Sequence, residues 1–151
     1  MEQLDIKYTN LDNASIVFVE SIEYYETLMK MPETTTFAGL THEELLESAQ
    51  RSLIQAFEVM IDVFWKHLKW LLEEHFQVNI GIINPRNVIT KACEIRFISE
   101  ADAELLCELV DFRNKTSHIY KQEIADFITK SLVQSCKQID QLVQHCNPKH
   151  L

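Results

Sequence analysis

The chain predicts an all-α fold, an up-and-down bundle of about five helices, on three observations. Only two of its 151 residues are glycine and three are proline, so few positions favour leaving a helix. Helix-start chemistry stands at Thr41, Asn84 and Ser99, each ahead of an apolar-periodic run. No stretch shows the sustained alternation of a strand, and no internal repeat or low-complexity tract competes. With 46% apolar and 25% charged residues the composition is globular, and residues 1–151 read as one domain.

The first apolar spacing, Ile16, Val19, Ile22, Tyr25 and Met29, ends at Pro32 and predicts a helix from Leu11 to Met31. Thr41-His42-Glu43-Glu44 then fits a capping box, the threonine hydroxyl accepting from the amide of Glu44 while the glutamate reaches back. The second helix runs to about Phe76. Between Ala56 and Leu72 it is apolar almost all round, so it needs more than one partner surface, and a homodimer is expected. Glu58, Asp62, Lys66 and Lys69 interrupt that run, which excludes a membrane span. Asn84-Pro85 opens a third helix reaching about Arg96. After a break at Phe97-Ile98, Ser99 caps a fourth that carries Leu105, Leu109 and Phe112. Ile124, Ile128, Leu132, Ile139, Leu142 and Cys146 stripe a fifth, which ends before Pro148.

The formal net charge of −9 argues against broad nucleic-acid binding, whose affinity comes from neutralising phosphates with Lys and Arg. One segment departs from this acidity. From Arg113 to Lys121 the chain has Arg113, Lys115, Lys121 and His118 with no acid between them. A pocket built there would hold one or two phosphates, and the acidic remainder would attract a basic partner. Cys93, Cys107, Cys136 and Cys146 form no Cys-x-x-Cys pair, and the first residues lack a basic stretch followed by an apolar one. Reduced thiols in a cytoplasmic protein are expected.

Arg113, His118 and Tyr120 form an Arg-x(4)-His-x-Tyr segment. On a continuous helix the five-residue step from Arg113 to His118 turns their side chains about 140° apart, whereas Tyr120 returns almost over Arg113. Either the helix unwinds near Ser117 so that arginine and histidine meet, or two motifs face each other in a dimer. The chemistry within reach is metal-independent phosphodiester cleavage. The 2′-hydroxyl of RNA attacks the adjacent phosphorus, His118 moves a proton, and Arg113 stabilises charge on the phosphoryl oxygens. The same spacing also suits a plain helix end, with Arg113 paired to Asp111 or Glu108 and His118 capping carbonyls.

Other candidates carry less. His67 and His75 lack a glutamate at metal-ligand spacing and read as surface or interface histidines, and His145, Cys146 and His150 lack a second pair of ligands. No metal and no cofactor is expected. Trp65 and Trp70 read as core and interface aromatics.

Arg113-Asn114-x-x-x-His118 resembles the HEPN signature, and His118-Ile119-Tyr120 extends it to the form found in HepT toxins. Gln55-Ala56-Phe57-Glu58, Phe64-Trp65-Lys66-x-Leu68-Lys69 and Pro85-Arg86-x-Val88-Ile89 are similar to blocks of the nucleotidyltransferase substrate-binding proteins of that superfamily. The resemblance runs from about Gln50 to Phe127. It implies a homodimeric helical bundle with a HEPN-like four-helix core, working beside a minimal nucleotidyltransferase. In toxin members Arg and His cut RNA, and the partner acts as antitoxin by transferring AMP to the motif tyrosine. This carries Arg113 and His118 over as catalytic, Asn114 as a supporting polar group, Tyr120 as the modification site, and Lys115 and Lys121 as candidate phosphate-binding residues. Many relatives have threonine at Ile119 and an acid at Lys121, and the small turn residue expected near Arg96 is absent. The alternative function is a non-catalytic subunit that binds substrate or nucleotide for the nucleotidyltransferase.

Overall fold

The structure, a computed structural model, describes residues 2–118 and 121–151, with the backbone alone for Ser117 and His118. Five α-helices follow in the expected order: α1 Glu2–Lys30, α2 His42–Trp70, α3 Pro85–Glu94, α4 Glu100–His118 and α5 Gln122–His145. Among the described residues there is no β-strand, only an isolated bridge between Phe37 and Leu40.

Long-range contacts fix the directions. Tyr8 reaches Gln144 on α5, Arg113 on α4 reaches Glu58 on α2, and Phe112 meets Phe127 across α4 and α5. Consecutive long helices therefore run up and down, and α2 lies at the centre of the bundle. The short α3 packs on α4 and α2. Phe76 lies against Phe97 at 5.1 Å while Arg86 bonds Asp111. The segment between them consequently returns along α4 before α3 begins.

The start signals act as the sequence predicts. Thr41 Oγ1 accepts from the Glu44 amide at 3.2 Å and the Thr41 amide donates to Glu44 Oε1 at 3.2 Å, completing the capping box. Asn84 Oδ1 accepts from the Asn87 amide at 2.9 Å, with Pro85 at the first helical position.

The first helix differs from expectation. It starts at Glu2, and its buried face is Leu4, Leu11, Ser15, Phe18 and Ile22, while Ile16 and Met29 are exposed. The spacing chosen from Ile16 onward missed Leu4 and Leu11, which set the true phase of the buried stripe.

The apolar excess of α2 is largely consumed inside the bundle. Phe57, Met60, Ile61, Phe64 and Leu68 are buried, because a central helix has neighbours on several sides. What remains outward is a shallow groove between α1 and α2, lined in part by Ala14, Val17, Ala56, Val59 and Val63. After Trp70 the helix widens into a π turn, Leu71–His75, closed by the Phe76 amide on the Leu71 carbonyl at 3.1 Å.

The turn after α3 shows how the chain manages without a small residue. Arg96 itself takes a left-handed backbone, φ 61°. Its amide donates to Cys93 O at 2.9 Å and the next amide, Phe97, donates to Ala92 O at 2.9 Å. These are the two bonds of a Schellman stop, here made by an arginine where glycine is usual.

Candidate functional site

Arg113 sits near the end of α4 on the side that meets α2. Glu58 and Asp62 are four residues apart on α2 and so share one face of it. Arg113 Nη1 donates to Glu58 Oε2 at 2.7 Å, Nη2 to Asp62 Oδ2 at 3.2 Å, and Nε to the same oxygen at 3.4 Å. The guanidinium is half-buried, with 28% of its side chain exposed. The alternative reading of a plain helix end named Asp111 or Glu108 as its partners. Asp111 is instead paired with Arg86, because the return of the chain brings α3 against that face of α4.

This geometry corrects the picture of a purely cationic pocket at Arg113. One guanidinium between two carboxylates leaves a formal excess of negative charge at that point. The Nε–Nη2 edge is spent on Asp62, and Nη2 keeps a second N–H directed along the Nη1–Nη2 edge. A guanidinium held this way has lost most of its rotational freedom and still offers a donor.

The helix does not unwind near Ser117. The backbone stays helical through His118, so of the two routes that would join Arg113 to His118, local unwinding does not occur. The His118 side chain and all of Tyr120 lie outside the described residues. Thr116 Oγ1 donates to the Arg113 carbonyl at 3.0 Å. Asn114 and Lys115 are exposed on α4, and Lys121 is exposed at the cap position of α5 in extended backbone.

A second clamp lies just past the motif. Gln50 is buried on α2, and its Nε2 donates to Asp126 Oδ1 at 2.9 Å. Gln122 Nε2 donates to Gln50 Oε1 at 2.8 Å and to Asp126 Oδ1 at 2.7 Å. The first turn of α5 is thereby fixed to α2. The motif segment is held on both flanks by one helix, through Glu58 and Asp62 before it and Gln50 after it.

Sequence reasoning missed Glu58, Asp62 and Gln50 as partners. The first two were noticed only as interruptions of an apolar run. Their four-residue spacing was the signal that one polar ribbon crosses an otherwise buried helix. Gln50 gave no signal, because an amide on a helix is unremarkable until its neighbours are known.

The histidines fall differently from expectation. His67 is fully buried, with Nε2 donating to the Cys146 carbonyl at 2.9 Å and the ring 5.7 Å from Tyr8. Burial lowers its pKa from the ordinary 6.5, partly opposed by the bond to Cys146, so the neutral ring is favoured. It was expected at a surface or interface, but the outward face of α2 is covered here by α1 and by the end of α5. His145 stacks on Phe97 at 4.6 Å and its Nε2 bonds the Phe97 carbonyl at 2.7 Å. The Cys146 thiol is pushed up to about 12 by burial. Trp65 and Trp70 are half-buried against the core. Among the described residues no group of three His, Cys, Asp or Glu is placed to hold a metal ion, and no helix is long and apolar enough to cross a membrane.

The fold is similar to that in the crystal structure of a protein from Thermus thermophilus, with a TM-score of 0.56 at 20% identity over 88% of this chain and 98% of that one. At that identity the likeness concerns the fold alone. No curated protein matches the chain. The family of nucleotidyltransferase substrate binding protein-like sequences matches residues 6–147. That span includes every helix that holds the motif, and the chain belongs to this family.

Proposed function

We propose that the protein is a HepT-like toxin, a metal-independent ribonuclease whose partner is a minimal nucleotidyltransferase acting as antitoxin. The observation that supports the reading is Arg113, the motif arginine, held half-buried against α2 by Glu58 and Asp62 with 28% of its side chain exposed. In this reading Arg113 stabilises charge on the phosphoryl oxygens, His118 moves the proton, and Asn114 supports them. Lys115 and Lys121 approach neighbouring phosphates. AMP transfer to Tyr120 silences the site by adding an anionic, bulky group. The link to a nucleotidyltransferase is supported by the family.

The whole chain acts as one domain, and two copies pair. Because α4 is continuous through His118, positions 113 and 118 lie about 140° apart around its axis. A composite site between two copies brings an arginine and a histidine together. Exposed Val59 adjoins Glu58 on α2 and continues into the apolar groove toward α1, which gives the second copy a surface to cover.

The test is direct. Purified protein cleaves RNA in chelator, Arg113→Ala and His118→Ala do not, and incubation with the cognate nucleotidyltransferase, ATP and magnesium adds AMP to wild type but not to Tyr120→Phe. Intact RNA with nuclease-free protein, together with normal growth on expression, overturns the ribonuclease reading. The second reading is a non-catalytic subunit that binds substrate or nucleotide, and the observation in its favour is the compensation of the Arg113 charge by two carboxylates.

A further inference from the structure

We infer that the end of the bundle where α1 stops and α2 and α5 begin is a docking groove for a basic amphipathic helix of another protein chain.

Three adjoining cavities make the groove. One of about 620 Å³ lies between Met29 and Met31 at the end of α1 and Glu43 and Leu46 at the start of α2. A second, of about 510 Å³, runs between α1 and α5 and shares Met29 with the first. A third, of about 250 Å³, joins them at Tyr25, Leu46 and Asp126. Beneath lies a small core of its own, Leu28, Leu45 and Ala49, with Tyr25 and Leu46 packed half-buried against it.

Apolar surface is exposed around this floor. Met29, Met31, Phe37 and Leu40 all face water, Phe37 at 73%. Phe37 is fixed by its backbone: its amide donates to the Leu40 carbonyl at 3.1 Å and its carbonyl accepts from the Leu40 amide at 2.9 Å. The turn between them holds both Ala38 and Gly39 at positive φ, 54° and 79°. Ala38 meets a steric cost there that glycine does not, so a large ring is presented to solvent by a turn that is itself strained. Methionines, unbranched and polarisable, adapt the neighbouring surface to a partner's side chains.

Charge selects the occupant. The first and third cavities are walled by Glu33, Glu43, Glu47 and Asp126 with no lysine or arginine, and Lys30 and Lys130 stand only along the second. Among the described residues, none of Glu33, Glu43 and Glu47 makes an ion pair. Unpaired carboxylates around an apolar floor match a helix with apolar residues at three- and four-residue spacing and Lys or Arg on its flanks. The same carboxylates repel nucleic acid and anionic lipid. A second copy, at a formal net charge of −9, would set acid against acid in a symmetric contact. The third cavity ends at Gln50, Gln122 and Asp126, so the occupant meets the first turn of α5, just past the motif.

The probe is a synthetic peptide of about 14 residues with Leu on one helical face and Lys on the other. A scrambled peptide of the same composition and a Leu/Glu version are the controls, and fluorescence anisotropy follows binding to the full chain. Wild type should take the amphipathic basic peptide about tenfold more tightly than the scrambled one. Glu33→Gln with Glu43→Gln and Glu47→Gln should weaken it by on the order of tenfold, and so should Met29→Ser with Phe37→Ser. Glu94→Gln with Glu100→Gln and Glu104→Gln removes the same charge from the groove between α3 and α4 and should leave binding unchanged. All these positions are exposed, so the variants keep the fold, which helicity and thermal midpoint check. Equal weakening by both glutamate sets would reduce the contact to general acidity, and no preference for the amphipathic order would remove the apolar floor from it. Either result overturns the inference, as does absence of binding. So does sedimentation in which Met29→Ser with Phe37→Ser splits a self-associated chain, which gives the groove to a second copy.

Discussion

The two halves of α2 hold their neighbours by different physics. Toward its carboxyl end the hydrogen bond to a distant element is neutral and dry: His67 donates to the Cys146 carbonyl in a fully buried setting. Toward the middle and amino end the contacts are charged and partly wet, with Arg113 on Glu58 and Asp62, and Gln50 on Asp126 and Gln122. Buried neutral bonds are costly to lose, because the remaining partner cannot turn to water. Half-exposed ion pairs contribute little to stability. The difference teaches where to look for function: groups held without much benefit to folding are free to serve chemistry.

The sharpest way to break this contrast is to remove Arg113. Arg113→Ala should lower RNA cleavage by on the order of a hundredfold or more, while denaturant unfolding changes by about 1 kcal/mol or less. Loss of several kcal/mol with activity retained would assign the arginine to the scaffold. At the other end the balance inverts. His67→Leu should cost about 2 kcal/mol, since it leaves the Cys146 carbonyl buried without its donor, and leave any cleavage rate unchanged in the folded fraction.

A pH series sharpens the same comparison. The folded-state pKa of His67 lies below its ordinary 6.5, so above that value the ring is neutral in both states and its stabilisation is fully present. As pH falls below 6.5 the unfolded chain takes up a proton that the folded chain resists. Stability should then decline by at most about 1.4 kcal/mol per pH unit from this group, levelling once pH passes the folded value. Urea midpoints of wild type and His67→Leu should converge on acidification, and parallel curves would place the pH sensitivity elsewhere.

The smallest expected effect is a gain. Arg96 holds φ 61° at a stop where glycine has no steric cost. Arg96→Gly should raise stability by about 0.5–1 kcal/mol, read as a higher thermal midpoint. A fall would show that the arginine side chain contributes more than its backbone strain costs.

Helix starts were legible because capping is local: Thr41 and Asn84 make the bonds their sequence announces. The central run from Ala56 to Leu72 announced a helix with several partners, though composition could not say which partners lie within the same chain. The buried stripe of α1 was legible only in part, at Ile22 and its partly buried neighbours Val19 and Tyr25, because Leu4 and Leu11 precede the spacing that looked strongest. At the candidate site, Arg113 was legible from its motif, but Glu58 and Asp62 are more than fifty residues away in sequence. Their pairing with it is set by how α2 and α4 cross, a tertiary fact that no local pattern encodes. Arg96 shows the converse, since its left-handed turn is imposed by the packing around Phe97 against the preference of its own side chain.

Gln50 and Glu58 stand eight positions apart, about 12 Å along a helix axis, and between them they set the distance across which the motif segment is slung. That interval works as a ruler, so it constrains the number of residues more than their kind. Arg51, Ser52 and Gln55 point outward and can vary within helix-forming types. One residue inserted among them would swing Glu58 and Asp62 about 100° away from Arg113 while Gln50 kept its hold on α5. Natural variation in this stretch should therefore preserve its length while its surface letters drift.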